Sequence, residues 1–192
     1  SGTRGQRVPV SVYRVDPDGT REAVTSAIVN ATSLAFDLDG RLCVSSRLDG
    51  AVYRLGADGT VDKIASDLGV ACGIVFSPEG SLYVGDRSGT LFRVNAAGKV
   101  YPFASLPASV AAFHLALGPD EAVYVAAPSL SSIDRVYRVD RRGEVGVHVE
   151  GFGRPQGLAF DRLGRLHVVE ALAGASGLYR VTPGGRPELM VS

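Results

Sequence analysis

Val12-Tyr13-Arg14-Val15, Val52-Tyr53-Arg54-Leu55, Leu91-Phe92-Arg93-Val94, Val136-Tyr137-Arg138-Val139 and Leu178-Tyr179-Arg180-Val181 are five versions of one phrase spread along a chain of 192 residues. They begin 40, 39, 45 and 42 residues apart (52−12, 91−52, 136−91, 178−136). A near-constant period in this range marks a repeat architecture, in which each unit buries its apolar face against the next. A second phrase recurs between the first. Leu34-Ala35-Phe36-Asp37 runs to Gly40-Arg41-Leu42-Cys43-Val44, Ile74-Val75-Phe76-Ser77 to Gly80-Ser81-Leu82-Tyr83-Val84, Leu115-Ala116-Leu117-Gly118 to Ala122-Val123-Tyr124-Val125, and Leu158-Ala159-Phe160-Asp161 to Gly164-Arg165-Leu166-His167-Val168. Each consists of two β-rich runs split by an Asp/Pro/Gly turn, the pattern of a hairpin. The Tyr-Arg strand follows, then a tight turn such as Asp16-Pro17-Asp18-Gly19 or Ala57-Asp58-Gly59, then a fourth short strand.

One unit is therefore a four-stranded antiparallel meander. No segment sustains an apolar period of 3.6 over three turns, so no helix of consequence is expected. Four-stranded units repeating every 40 to 45 residues predict an all-β protein, a β-propeller. A β-sandwich has no reason to repeat one motif five times. The strand count is awkward. Residues 1–9 read as a tail, residues 10–29 as the third and fourth strands of a blade, and residues 30–69, 70–109, 110–152 and 153–192 as four complete blades. That is about four and a half blades, which leaves a half-blade without a partner. The expected remedy is self-association, or a missing N-terminal segment that completes the ring.

Composition narrows the function classes. Hydrophobic residues make up 45% of the chain, enough for one domain with a sizeable core. Twenty basic residues balance twenty acidic ones without any block of like charge, so nothing draws the protein to nucleic acid or an anionic membrane. Lys63 and Lys99 are the only lysines, leaving eighteen arginines (20−2), a usage suggestive of GC-rich bacterial coding. No apolar run is long enough for a membrane span, and the start Ser1-Gly2-Thr3-Arg4 has no signal-peptide core. That start reads as a cloning or processing scar. The compartment stays open between bacterial cytoplasm and a secreted or periplasmic location. Cys43 and Cys72 fall at different points of neighbouring units and are expected as two buried thiols. Asn30-Ala31-Thr32 matches a glycosylation acceptor by chance.

The phrases Gly157-Leu158-Ala159-Phe160-Asp161, Gly164-Arg165-Leu166-His167-Val168 and Leu178-Tyr179-Arg180-Val181 resemble the repeat of NHL-type propellers. They resemble equally the senescence-marker-protein/gluconolactonase group of six-bladed propellers, over essentially residues 10–192. The resemblance implies a six-bladed ring of 24 strands, six of them ahead of Val8. It also implies a divalent cation of the calcium type in the channel mouth of lactonase-like members, held by an acidic residue of the first blade and by Asn and Asp of later blades. Fold does not settle activity, because one superfold hosts hydrolases, synthases and inert interaction modules.

In a propeller, the loops entering each inner strand and those leaving each second strand gather on one face around the channel. The first set presents Thr32, Cys72, Phe113 and Gln156; the second presents Ser46, Asp86, Ala127 and Glu170. Gln156 stands where the resemblance implies a metal-binding Asn. Asp86, Gln156 and Glu170 are the expected metal set if there is one, since hard cations take oxygen ligands. The alternative is that Asp86 and Glu170 pair with an arginine such as Arg87 or cap turns. His114, on an inner strand, is the candidate general base, weighed against a hydrogen-bonded channel-wall histidine. His148 and His167 are read as structural. No nucleophile elbow, phosphate-cradling loop, zinc spacing or paired CxxC occurs. Two functions compete: a binding or scaffold propeller that recognises a small ligand or protein partner at the channel mouth through these positions and Arg87, and a divalent-metal-dependent lactonase-like hydrolase.

Overall fold

A computed structural model describes residues 12–171, 176–182 and 184–192. The tail over residues 1–9 lies outside them, as do residues 10 and 11. Eighteen strands and no helix occupy the described residues. A half-blade comes first, β1 (Val12–Val15) and β2 (Arg21–Thr25). Blade 1 comprises β3 (Ala31–Phe36), β4 (Leu42–Ser46), β5 (Ala51–Leu55) and β6 (Val61–Ala65). Blade 2 comprises β7 (Ala71–Phe76), β8 (Leu82–Asp86), β9 (Thr90–Val94) and β10 (Val100–Ser105). Blade 3 comprises β11 (His114–Leu117), β12 (Val123–Ala126), β13 (Asp134–Val139) and β14 (Val145–Phe152). Blade 4 comprises β15 (Pro155–Phe160), β16 (Leu166–Glu170), β17 (Gly177–Val181) and β18 (Pro187–Val191). Each blade is an antiparallel meander in chain order, and together they form a β-propeller whose inner strands β3, β7, β11 and β15 adjoin in series.

The hairpin turns follow from their residues. Asp37 Oδ1 accepts the amides of Asp39 and Arg41, and Gly40 closes the turn at φ 74°, a left-handed conformation that glycine adopts without penalty. Asp161 does the same for Leu163 and Arg165. In blade 3 the glycine slot is held by Glu121 at φ 60°, whose carboxylate pairs with Arg141. Asp16-Pro17-Asp18-Gly19 and Asp37-Leu38-Asp39-Gly40 are thus turns, as their spacing implied.

The five repeated arginines cross-link strands. Arg54 reaches the buried Asp37 at 2.8 Å, Arg138 reaches Asp120 at 2.7 Å, and Arg180 reaches Glu188 at 2.8 Å. Arg14 pairs with Glu22, and Arg93 donates to Ser81 Oγ. Burial pushes the Asp37 carboxyl upward, but the Arg41 amide and the Arg41 and Arg54 guanidinia overcome it and hold the group below the usual aspartate value. A carboxyl depressed in the native state contributes stability above its unfolded value near 4, which disappears as pH falls through the native value. Asp37→Asn should therefore flatten the acid limb of a stability–pH profile below about pH 4. A wild-type acid limb in the variant, read by urea midpoints across pH, would refute the assignment.

One register irregularity recurs in every blade. The third and fourth strands slip by a residue, skipping Val24, Ile64, Phe103, His148 and Met190. A bulge of this kind re-aims the extra side chain. Phe103 turns its ring onto Tyr83 at 5.1 Å between centroids, and His148 meets the equivalent Tyr124 edge-on at 4.8 Å. His148 therefore takes the place a phenylalanine fills one blade earlier, and burial holds its pKa down. His167 contacts Asp161 at 3.1 Å. Cys43 and Cys72 are separate buried thiols.

The core lies between blades rather than within them. Cys43 and Val52 of blade 1 pack with Ile74, Leu82 and Val84 of blade 2, and Tyr83 and Leu91 of blade 2 pack with Phe113, Val123 and Val125 of blade 3. Phe36, Phe76, Leu117 and Phe160 hold equivalent positions, each closing its hairpin opposite Leu42, Leu82, Val123 and Leu166. Equivalent positions of a repeat would share one degree of burial, yet Phe76, Leu117 and Phe160 are half-buried while Phe36 is exposed. Among the described residues two outer-position strands precede blade 1, and beside them Phe36 is 67% exposed and Tyr13 52% exposed.

Candidate functional site

Ser46, Asp86 and Glu170 end the second strands of blades 1, 2 and 4, and all three are buried. Their partners are backbone groups of the segment entering the same blade. Ser46 Oγ donates to the Val29 carbonyl at 2.6 Å. Asp86 Oδ1 accepts the Val70 amide at 2.9 Å and the Ser88 amide at 3.1 Å, while Oδ2 accepts the Ser88 hydroxyl. Glu170 Oε1 accepts the Gly153 amide. In blade 3 the equivalent residue is Ala127, also buried, and Ser109 takes over by donating to the Pro128 carbonyl at 2.7 Å. Gly69 makes the approach in blade 2 feasible. It has φ +60°, and a Cβ there would lie 2.7 Å from the Asp86 carboxyl carbon.

The positions ahead of the inner strands differ more. Thr32, Cys72 and Gln156 sit where the inner ladder skips residues, and Phe113 immediately precedes β11. Thr32 is exposed and Gln156 half-buried. Cys72 is 1% exposed, its thiol donating to the Val70 carbonyl, and Phe113 is fully buried. Phe113 lies over Gly85 of blade 2, where an added Cβ would approach Phe113 Cβ to 2.8 Å. Its carbonyl accepts the Gly73 amide at 2.8 Å, tying the inner strands of blades 2 and 3 together. The side chains of Cys72 and Phe113 complete the packing between blades.

Two arginines stand at equivalent places, Arg47 after the second strand of blade 1 and Arg87 after that of blade 2. Burial raises the Cys72 thiol pKa, while Arg87 and Arg47 pull it the other way and Asp86 adds to the rise. Both guanidinia thus act electrostatically on one point of the blade 1–blade 2 junction. Each directly follows the residue that anchors its blade, Ser46 or Asp86, and each is half-buried. Arg87 was visible from its position beside Asp86. Arg47 was overlooked, although aligning blade 1 on blade 2 pairs it with Arg87. His114 opens β11 opposite Ala126, half-buried, and burial lowers its pKa so that the imidazole is neutral at pH 7.

The expected metal set of Asp86, Gln156 and Glu170 is spread over blades 2 and 4. Among the described residues no group of three or more His, Cys, Asp and Glu side chains converges. Asp86 and Glu170 lie on blades 2 and 4, each already engaged by backbone amides. A calcium-type ion needs six to eight oxygens around one point.

No protein-family model matches the sequence, and no curated protein matches it. Solved structures do match. The virginiamycin B lyase of Staphylococcus aureus superposes with a TM-score of 0.70 at 16% identity, over 94% of this chain and 62% of the lyase. A gluconolactonase of Xanthomonas campestris superposes with a TM-score of 0.70 at 16% identity, over 91% of this chain and 69% of the enzyme. An auxiliary nutrient-binding protein of Bacteroides thetaiotaomicron reaches 0.77 at 12% identity, over 94% of this chain and 52% of that protein. The chain spans about three fifths of the length of the lyase it matches. The likeness establishes the propeller fold, shared here by a lyase, a lactonase and a binding protein.

Proposed function

We propose that the chain is part of a propeller binding module that takes a small anionic ligand at the mouth between blades 1 and 2. The observation that supports it is the equivalence of Arg47 and Arg87, half-buried arginines that directly follow the second strands of the neighbouring blades 1 and 2. Planar guanidinium forks suit carboxylates and phosphates, and two of them give orientation as well as attraction. Thr32, exposed on the inner strand of blade 1, and His114 and Gln156 on the later inner strands are further polar groups that would select among anions. Ser46, Asp86 and Glu170 contribute by holding the loops in place.

The likeness to gluconolactonase supports a second reading, a lactonase-like hydrolase with Asp86, Gln156, Glu170 and His114 at its centre. Against it stands the engagement of both carboxylates by backbone amides. The two readings separate in one experiment. Sugar acids such as gluconate should raise the melting temperature in a saturable way, since a ligand held only by the native state stabilises it by RT ln(1 + [L]/Kd). Arg87→Ala should weaken the apparent affinity about tenfold or more, the scale of one charge-assisted hydrogen bond. Hydrolysis of gluconolactone with no such shift would favour the hydrolase instead.

A further inference from the structure

The connection from β12 to β13 runs over seven residues (127–133), where the same connection takes four in blade 1 (47–50) and three in blade 2 (87–89). Its anchor is polar. The buried Asp134, which opens β13, accepts the Ser129 amide at 3.0 and 3.1 Å and the Ser129 hydroxyl at 2.5 Å. The Ser131 amide donates to Ser129 Oγ at 3.0 Å, and the Ile133 amide to Ser131 Oγ at 3.2 Å. A loop tied down in this way holds its apolar side chains out in water: Leu130 is 93% exposed and Ile133 59% exposed. The shorter loop of blade 1 does the reverse and keeps its one leucine, Leu48, half-buried. This rim is continuous with Arg87. The Ser109 amide donates to the Arg87 carbonyl at 2.8 Å, and the next residue, Val110, donates its amide to the Pro128 carbonyl at 2.9 Å. Two such steps, at the usual spacing of hydrogen-bonded chains, set Pro128 about 10 Å from Arg87. Val110 is itself 38% exposed, so an apolar strip runs from Ile133 and Leu130 through Val110 toward Arg87. Contiguous apolar surface rimmed by polar groups marks a contact site.

We propose that the ligand of this mouth is a medium-chain carboxylic acid, whose carboxylate meets Arg87 and whose aliphatic chain lies along Val110, Leu130 and Ile133. The inference rests on the anion-binding reading and adds the chemistry of the rest of the ligand. Two features on one rim make the case. No carboxylate among the described residues pairs with the Arg87 guanidinium, which leaves a cation in want of an anion. The three aliphatic side chains beside it meet solvent on ordered backbone, so covering them releases water without the entropy cost of ordering a loop. A molecule with one charged and one apolar end satisfies both features, whereas a sugar acid satisfies only the first.

Butanoate, hexanoate, octanoate and gluconate, titrated by calorimetry, are the probes. Affinity should rise about fivefold with each added pair of methylenes, a part of the roughly fifteenfold that their complete burial would give. Gluconate should bind no tighter than butanoate. Leu130→Ser combined with Ile133→Ser should bring octanoate close to butanoate, with the melting temperature unchanged because both side chains face water. Arg87→Ala should weaken all the acids alike. Binding of the acids with no dependence on chain length would overturn the inference and leave anion binding standing. A chain-length dependence indifferent to the paired serine substitutions would overturn it too, by placing the aliphatic chain elsewhere. Failure of all four acids to bind would remove the anion-binding reading and this inference with it.

Discussion

Phe113→Ala should destabilise the protein by about 3–5 kcal/mol, the range for a fully buried aromatic truncated to alanine, while Phe36→Ala should cost less than about 1 kcal/mol. The contrast follows from position alone. Phe113 is wholly buried over Gly85, and its removal leaves a void between blades 2 and 3. Phe36 holds an inner-strand position that the repeat makes equivalent to Phe76, yet most of its surface meets solvent. Urea unfolding of both variants beside the wild type measures the two numbers. Equal losses would mean that the face of blade 1 carrying Phe36 is covered in solution.

The second large effect is expected at Asp86. Asp86→Ala removes the acceptor for the Val70 and Ser88 amides and the Ser88 hydroxyl in a buried place, and should cost about 2–4 kcal/mol, since hydrogen bonds to charged groups are worth about 1.5–3 kcal/mol each and the stranded donors lose theirs together. Asp86→Asn keeps an acceptor oxygen and should lose less. Millimolar calcium should leave the melting temperature of wild type and variants alike. A calcium-dependent rise in the wild type that vanishes in Asp86→Ala, with little loss of stability in its absence, would restore the metal-centred reading.

The strands and their pairing were legible because the same apolar phrase returns at each point of the blade. Val44, Val84, Val125 and Val168 fall at one point of the second strand and are all buried to completion. Turns were legible for a similar reason, since Asp37 and Asp161 must reach amides two and four residues ahead. The bulges were not. They arise from counting residues across two strands, and nothing about Ile64, Phe103 or His148 as residue types announces an extra place. The role of Phe113 was hidden too, because the glycine that receives its ring lies 28 residues earlier in another blade. Asp86 and Glu170 stand out in the sequence as carboxylates at one point of the second strand, and both are buried against backbone amides. Which neighbour each carboxylate meets depends on the direction of one backbone amide, which the sequence does not carry. Arg47 is a different case, for the signal existed and only a comparison of blade 1 with blade 2 was needed to see it.

The serial arrangement of the blades also bears on how the chain acquires its structure. Nearly every strand pairs with the strand next to it in sequence, and each inner strand adjoins those of the neighbouring blades. Contacts of such short span lower the entropic barrier to folding relative to other all-β topologies. A blade emerging during synthesis finds its partner already assembled behind it, so order can propagate from the N-terminal side as in other repeat arrays. The same linearity weakens all-or-none behaviour: blade 4, whose outward face carries the exposed Val169 and Leu189, can open without dissolving the interface between blades 1 and 2.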